Sequence, residues 1–214
     1  MQTAPGYSGR MSAAELYALL VLATATSFTP GPNTTLSTAL AANRGLRGAL
    51  HFVLAVPVGW GLLFTLCALG LGSLVMALPV LRGLIVGGGV AYLLWLAARL
   101  WRSGQLSATE GLRMDVSFVQ GVLLQFLNIK AWMLALSIVG GWVAGRPDAF
   151  TRYLQTLPLM LFFAFSSNFT YAWIGSVLRH WLAQGRRLLM FNRSMAMVLA
   201  LTAAWIAVTL SPLA

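Results

Sequence analysis

The chain has 214 residues, of which 59% are hydrophobic and 8% charged, with a formal net charge of +10. That balance leaves too little polar surface for a soluble domain. The arginines fall in short runs between apolar segments, a pattern that fits membrane topology and anionic lipid and argues against a nucleic-acid surface.

Six apolar segments follow in order, from Ala13 to Ala42, Ala49 to Leu71, Leu81 to Trp101, Phe118 to Val143, Tyr153 to Leu178 and Ser194 to Leu210. Each is long enough for one crossing at roughly 20 residues per span. The first could be taken for a signal peptide, but only Arg10 flanks it and further spans follow, so it reads as a retained span. It is too long for one straight helix: about 30 residues at 1.5 Å would reach about 45 Å, against an apolar core near 30 Å. Thr29-Pro30-Gly31-Pro32-Asn33 falls near its middle. Two prolines remove two backbone donors and force the helix open. Lipid cannot satisfy the released groups, so such a break belongs where protein or a polar cavity surrounds it. A single proline is usually no more than a kink. Here the restarted helix offers the free amides of Asn33, Thr34 and Thr35 and a positive dipole end, while the preceding turn offers unpaired carbonyls.

The second segment opens with His51, read as interfacial, and holds Cys67, the single cysteine, which reads as a small core residue. Gly45, Gly48, Gly59, Gly61, Gly70, Gly72, Gly83, Gly87, Gly88 and Gly89 are expected to permit close helix approach. The fourth segment carries Asn128-Ile129-Lys130 near its middle, and Lys130 is the only lysine. A charged lysine at that depth costs about 2.5 to 3.5 kcal/mol. Snorkelling to the headgroups serves best near a span end, whereas Lys130 stands about a dozen residues from either end. Two roles stay open for it, a fixed counter-charge for a carboxylate or a desolvated amine that releases a proton. Gln120, Gln125 and Asn128 precede it, the last two sharing a helix face. The fifth segment holds Ser166, Ser167, Asn168 and Thr170, which read either as interhelical glue or as a cavity wall. Trp101, Trp142 and Trp181 lie at segment ends and fit an aromatic belt.

The break in span one and the polar insert in span four each open a set of three spans. Three is odd, so the second set enters from the opposite side. The expected fold is an all-α polytopic membrane protein with six transmembrane helices as two inverted three-helix repeats, the first helix broken at Pro30-Gly31-Pro32. The whole chain, 1–214, reads as a single transmembrane domain with halves 13–101 and 118–210 and a linker 102–117. Arg44, Arg47, Arg99, Arg102, Arg113, Arg179, Arg186, Arg187 and Arg193 outnumber Arg10, Arg82, Arg146 and Arg152 on the other side. The positive-inside rule places the first group in the cytoplasm and both termini outside. The stretch from Leu106 to Val116, with Glu110, Arg113 and Asp115, is the most solvated, and Arg179 to Arg193 is expected to lie along the cytoplasmic interface. No metal-ligand cluster, phosphate loop or nucleophile–base set is evident, and apart from Glu15 no carboxylate falls within a span. An enzyme, an ATP-driven pump and a carrier of metal cations all fit poorly.

Thr29-Pro30-Gly31-Pro32-Asn33, with the glycine-rich stretch after Arg44, resembles the N-terminal signature of the lysine exporter (LysE/RhtB) family of amino-acid exporters. Asn128-Ile129-Lys130 is similar to the family's Asn-Pro-Lys, with isoleucine in place of proline. Phe126, Asn128, Lys130 and Asn168 resemble the branch exporting cysteine and O-acetylserine, and the likeness covers nearly the whole chain. It implies secondary, proton-driven export of small neutral amino acids or their derivatives across a bacterial inner membrane, by alternating access. It implies a small amino-acid substrate, the lipid bilayer as surroundings, no cofactor and no nucleic acid. Homodimerisation through the glycine-rich faces is plausible, though no residue specifies it. Without the proline, span four could be continuous, and Lys130 would then act from a helix face. The expected substrate-binding residues are Pro30, Gly31, Pro32, Asn33, Thr34, Gln125, Asn128, Lys130 and Asn168. A non-transporting membrane scaffold, in which the break and Lys130 are structural, is the competing class.

Overall fold

A computed structural model describes residues 11–103 and 115–210. Arg10, Glu110 and Arg113 lie outside them. The described chain is helical: α1 (Ala13–Phe28), α2 (Pro32–Ala68), α3 (Leu71–Ala77), α4 (Pro79–Arg102), α5 (Phe118–Leu127), α6 (Ile129–Ile138) running into a π-helical turn (Val139–Val143), α7 (Ala149–Leu182) and α8 (Arg187–Leu210). By length and composition α2, α4, α7 and α8 are able to cross a membrane, and α5 with α6 makes a fifth candidate bent by 68°.

The local chemistry explains the ends. Ser12 accepts from the Glu15 amide while the Glu15 carboxylate accepts from the Ser12 amide, closing a capping box at the start of α1. Ser117 and Gln120 do the same for α5, so Gln120 is a cap and not a cavity group. Pro32 sits at the first position of α2, where its missing N–H costs nothing.

The 37-residue α2 is not one rod, because Gly45 inside it has φ +77°, a left-handed conformation that glycine adopts without steric penalty. Asn33 donates to the Gln125 side chain at 2.9 Å, and a β-carbon added at Gly59 would lie 2.8 Å from the Gln125 Cγ. Residues 33 and 59 of a straight helix would stand about 39 Å apart. The chain therefore reverses at Gly45, and 32–44 and 46–68 run back as a helical hairpin. This is the connection expected between the first two apolar segments, reduced to one non-helical residue.

Polar contacts collect the loops at two ends. At one, Arg44 pairs with Asp115, His51 Nε2 lies 3.3 Å from Asp115, and Arg99 donates to the Asp115 carbonyl. Arg179 approaches Gly45 there, and Asn192 accepts from Asn43 and donates to Ser103. At the other, Arg152 bridges Glu15 and Asp148 while Arg146 lies 3.5 Å from Glu15. Arg44, Arg99 and Arg179 thus gather at one end and Arg146 and Arg152 at the other. His51 lies at the first of these ends, its Nε2 also 2.8 Å from the Val116 carbonyl. The stretch Arg179 to Arg193 is the end of α7, a short turn and the start of α8. Trp101 and Trp181 are exposed and covered by Arg193 and Arg187, but Trp142 turns inward and donates to the Glu15 carbonyl.

Helix α2 packs chiefly on α7 and α5, and α4 on α8. Cys67 is buried in the core, as expected. The glycines divide. A β-carbon at Gly89 would meet the Leu127 carbonyl at 2.1 Å, and one at Gly175 the Thr38 carbonyl at 2.3 Å, whereas at Gly70 and Gly87 nothing lies within 4 Å. Gly70 serves a left-handed turn at φ +87° instead. Gly89→Ala is expected to destabilise the folded protein by about 1–3 kcal/mol through overpacking. Gly87→Ala, two residues away, is expected to leave the thermal midpoint in detergent unchanged or slightly raised. Equal midpoints for the two variants would refute this account of the α4–α5 contact.

Candidate functional site

The two chain breaks meet: Thr29 and Pro30 of the first are exposed, Gly31 is half-buried and Pro32 buried, while Asn128 and Ile129 of the second are buried. Span four is broken even without a proline: α5 ends at Leu127, Asn128 takes φ −92° and ψ 97°, and α6 restarts at Ile129. The released backbone groups find partners on side chains. Trp132 Nε1 donates to the Phe126 carbonyl at 2.8 Å, and the Leu127 carbonyl rests on the bare α-carbon of Gly89. At the first break Tyr171 donates to the Phe28 carbonyl at 2.9 Å, and the Thr29 hydroxyl returns to the Ala25 carbonyl. The expected row of open carbonyls is therefore partly closed. Thr34 makes a reciprocal cap on Gly31, its hydroxyl accepting from the Gly31 amide at 2.9 Å and donating to the Gly31 carbonyl at 3.1 Å. The Thr35 amide is not free, since it donates to the Gly31 carbonyl. Only Asn33 and Thr34 leave first-turn amides unbonded within the helix.

Lys130 stands on the first turn of α6, and a β-carbon added at Gly31 would lie 3.6 Å from its Nζ. The ammonium rests against the first break. It makes no hydrogen bond or ion pair among the described residues. Two helix N-termini, those of α2 and α6, converge beside it, so the field at this point is positive from three sources.

Two cavities flank the Gly31–Lys130 contact. A small one of about 70 Å³ is bounded by Thr34, Trp60, Met160, Ser167 and Asn168. A larger one of about 720 Å³ lies between α1, α6 and α8. Gly31, Pro32, Asn128 and Lys130 border both. No Asp, Glu or His lines either, and the three described carboxylates are held by arginines elsewhere.

The expected site residues fall into two sets. Pro30, Gly31, Pro32, Asn33, Thr34, Asn128, Lys130 and Asn168 each line at least one cavity. Gln125 lines neither: it is fully buried and forms a reciprocal amide pair with Asn33 at 2.9 and 3.1 Å. Asn128, three residues on, borders both cavities, so the two amides do not work together in the site. The Asn168 side chain borders the small cavity but is spoken for, accepting from Ser37 and donating to the Ala164 carbonyl. Ser166 and Thr170 bond carbonyls of their own helix and line neither cavity, while Ser167 does. Asn128 differs from the other amides. Its Oδ1 is buried with no hydrogen-bond partner among the described residues.

Sequence reasoning missed Trp60, Met160, Trp132 and Tyr171. Trp60 had a signal, since a tryptophan in mid-span is out of place for an aromatic belt. The capping roles of Trp132 and Tyr171 depend on which helix lies opposite, and no local pattern carries that.

Comparison with known proteins matches residues 24–211 to the family described as LysE type translocator. Proteins named cysteine/O-acetylserine efflux protein, from Escherichia coli strain K12, Escherichia coli O6:K15:H31 and Shigella flexneri, are each 26% identical over 184 residues, covering 86% of this chain and 90% of theirs. No solved structure matches.

The Asn33–Gln125 pair is a lock between α2 and α5. Gln125→Ala is expected to cost about 1 kcal/mol of stability by leaving the half-buried Asn33 amide without its partner. Adding Asn33→Ala should then cost less than the sum of the single changes in a thermal double-mutant cycle. Strict additivity would show that the two amides do not act as a pair.

Proposed function

The chain belongs to the LysE type translocator family, and from that premise we propose that it is a secondary active exporter of small neutral amino acids or their derivatives, of the cysteine, O-acetylserine, homoserine and threonine kind. A translocator family accords with the reading that the chain is not an enzyme. The observation that carries the proposal is the unpaired Lys130 ammonium held against the Gly31 break where two helix N-termini converge. An anion is the missing partner of such an arrangement.

In this reading the substrate carboxylate takes Lys130 and the amides of Asn33 and Thr34. The substrate ammonium takes Asn128 Oδ1, the buried acceptor that lacks a donor. Asn33 and Asn168, engaged with Gln125 and Ser37, shape the wall and hold the helices that carry the site.

The proposed architecture is six spans in two inverted repeats, each opening with a broken helix, at Gly31 and at Asn128. The hairpin reversal at Gly45 supports counting 32–44 with α1 and 46–68 as the next span. The arginine-rich end faces the cytoplasm and the termini face outside, in the bacterial inner membrane. The Gly31–Lys130 contact divides two cavities, and exposing it to one side and then the other gives alternating access. Export is driven by the proton gradient. With no carboxylate or histidine lining either cavity, Lys130 is the group there that can carry the proton.

Efflux of labelled O-acetylserine, cysteine, homoserine and threonine from expressing cells tests it. Lys130→Ala should abolish export with normal amounts of protein in the membrane. Loss of folded protein instead would favour a scaffold. Lys130→Arg keeps the cation but cannot release its proton. It should retain downhill exchange of substrate and lose concentrative export. Normal concentrative export by either variant would refute the role of Lys130.

A further inference from the structure

The larger cavity has a composition that small polar substrates leave unused. It measures about 720 Å³, within the range of roughly 300–1,000 Å³ typical of sites for drug-sized ligands. Its walls are Leu22 of α1, Met133 of α6, and Val198, Leu201, Trp205 and Ile206 of α8. Its floor is polar, formed by Gly31, Pro32, Asn128 and Lys130. An unpaired ammonium and a buried unpartnered carbonyl oxygen thus stand at the base of an apolar groove.

We propose that this groove binds the side chain of an amino acid with a large apolar side chain, whose carboxylate sits at Lys130 and whose ammonium sits at Asn128 Oδ1. The proposal rests on the exporter reading and extends its substrates from small polar amino acids to large aliphatic and aromatic ones. The charge pattern selects the occupant. A phospholipid cannot bring its headgroup to Lys130, which stands about a dozen residues from either end of its span. A fatty acid supplies the carboxylate but has no donor for Asn128. A zwitterion with an apolar side chain satisfies the cation, the acceptor and the groove together. An outward path along Leu201 and Trp205, both exposed, leaves the side chain in contact with lipid and spares it transfer through water.

The test uses wild-type protein in cells and in lipid nanodiscs, with O-acetylserine as the reference substrate. Across alanine, norvaline, norleucine and phenylalanine, apparent affinity is expected to rise with side-chain size. Each added methylene should give up to about fourfold, the limit set by burial of a CH₂ at about 0.8 kcal/mol. Thr202→Trp, which adds bulk to the groove wall on α8, should lower the ratio of phenylalanine to O-acetylserine efflux at least tenfold. Export of O-acetylserine with no export of norleucine or phenylalanine would overturn this proposal and leave the exporter reading intact. Export of none of them would overturn both. A flat size series, or an unchanged ratio in Thr202→Trp, would remove the groove from the site. Quenching of tryptophan emission in nanodiscs by laurate, with no response to norleucine, would assign the groove to an acyl chain and overturn the proposal.

Discussion

An interrupted helix inside a bilayer must find protein partners for every backbone group it releases, and the bundle is arranged around that demand. Two interruptions double the requirement, and placing them against each other lets neighbouring helices serve both. Tyr171 from α7 caps one break, Trp132 caps the other from within α6, and Gly89 on α4 brings its backbone close enough to cover the Leu127 carbonyl. What is left over after this satisfaction is small: first-turn amides, a lysine ammonium and the Asn128 Oδ1. The binding chemistry is a remainder of the folding problem.

The amides show how packing and chemistry are divided. Asn33, Gln125 and Asn168 are polar, interior and close to the cavities, and each is already committed to a partner on another helix or on its own backbone. Such pairs fix the register of helices in an apolar medium, where modest interhelical hydrogen bonds of roughly 0.6 kcal/mol still choose among packings of similar energy. Asn128 alone of these amides keeps an uncommitted oxygen. The distinction between a lock and a ligand lies in whether a partner is present, not in the residue type.

This is also where reading the sequence reached and where it stopped. Pro30-Gly31-Pro32 and Lys130 were visible because each violates a rule of membrane helices, one by removing donors and one by placing charge at depth. The end of the first span near Arg44 was visible from the apolar pattern. The break at Asn128 was undecided, because no proline marks it and it depends on Trp132 and Gly89, one a turn away and the other on a different helix. Helical spacing puts Gln125 and Asn128 on one face, but it does not show that Asn33 on another helix takes up Gln125 while Asn128 borders the cavities. The glycines were grouped together since sequence shows their size but not what they face. Gly89 and Gly175 lie against carbonyls, while Gly87 faces open space.

The reversal at Gly45 has a mechanical corollary. A connection of one residue has no slack, so 32–44 and 46–68 behave as the two arms of a stiff clasp, while α1 is joined to the nearer arm through the proline break. The unbonded first-turn amides of Asn33 and Thr34 ride on that clasp, whose farther arm is seated against α5 at Gly59 and Gly121. Tilting of the clasp carries Asn33, Thr34 and the seat of Gln125 together, so the amides and the wall behind them keep their mutual geometry. The compliant joints lie elsewhere, at Thr29–Gly31 and at Asn128, on either side of the Lys130 ammonium. A load applied to the arginine-rich end is thereby delivered to those two joints and not dissipated in a loop.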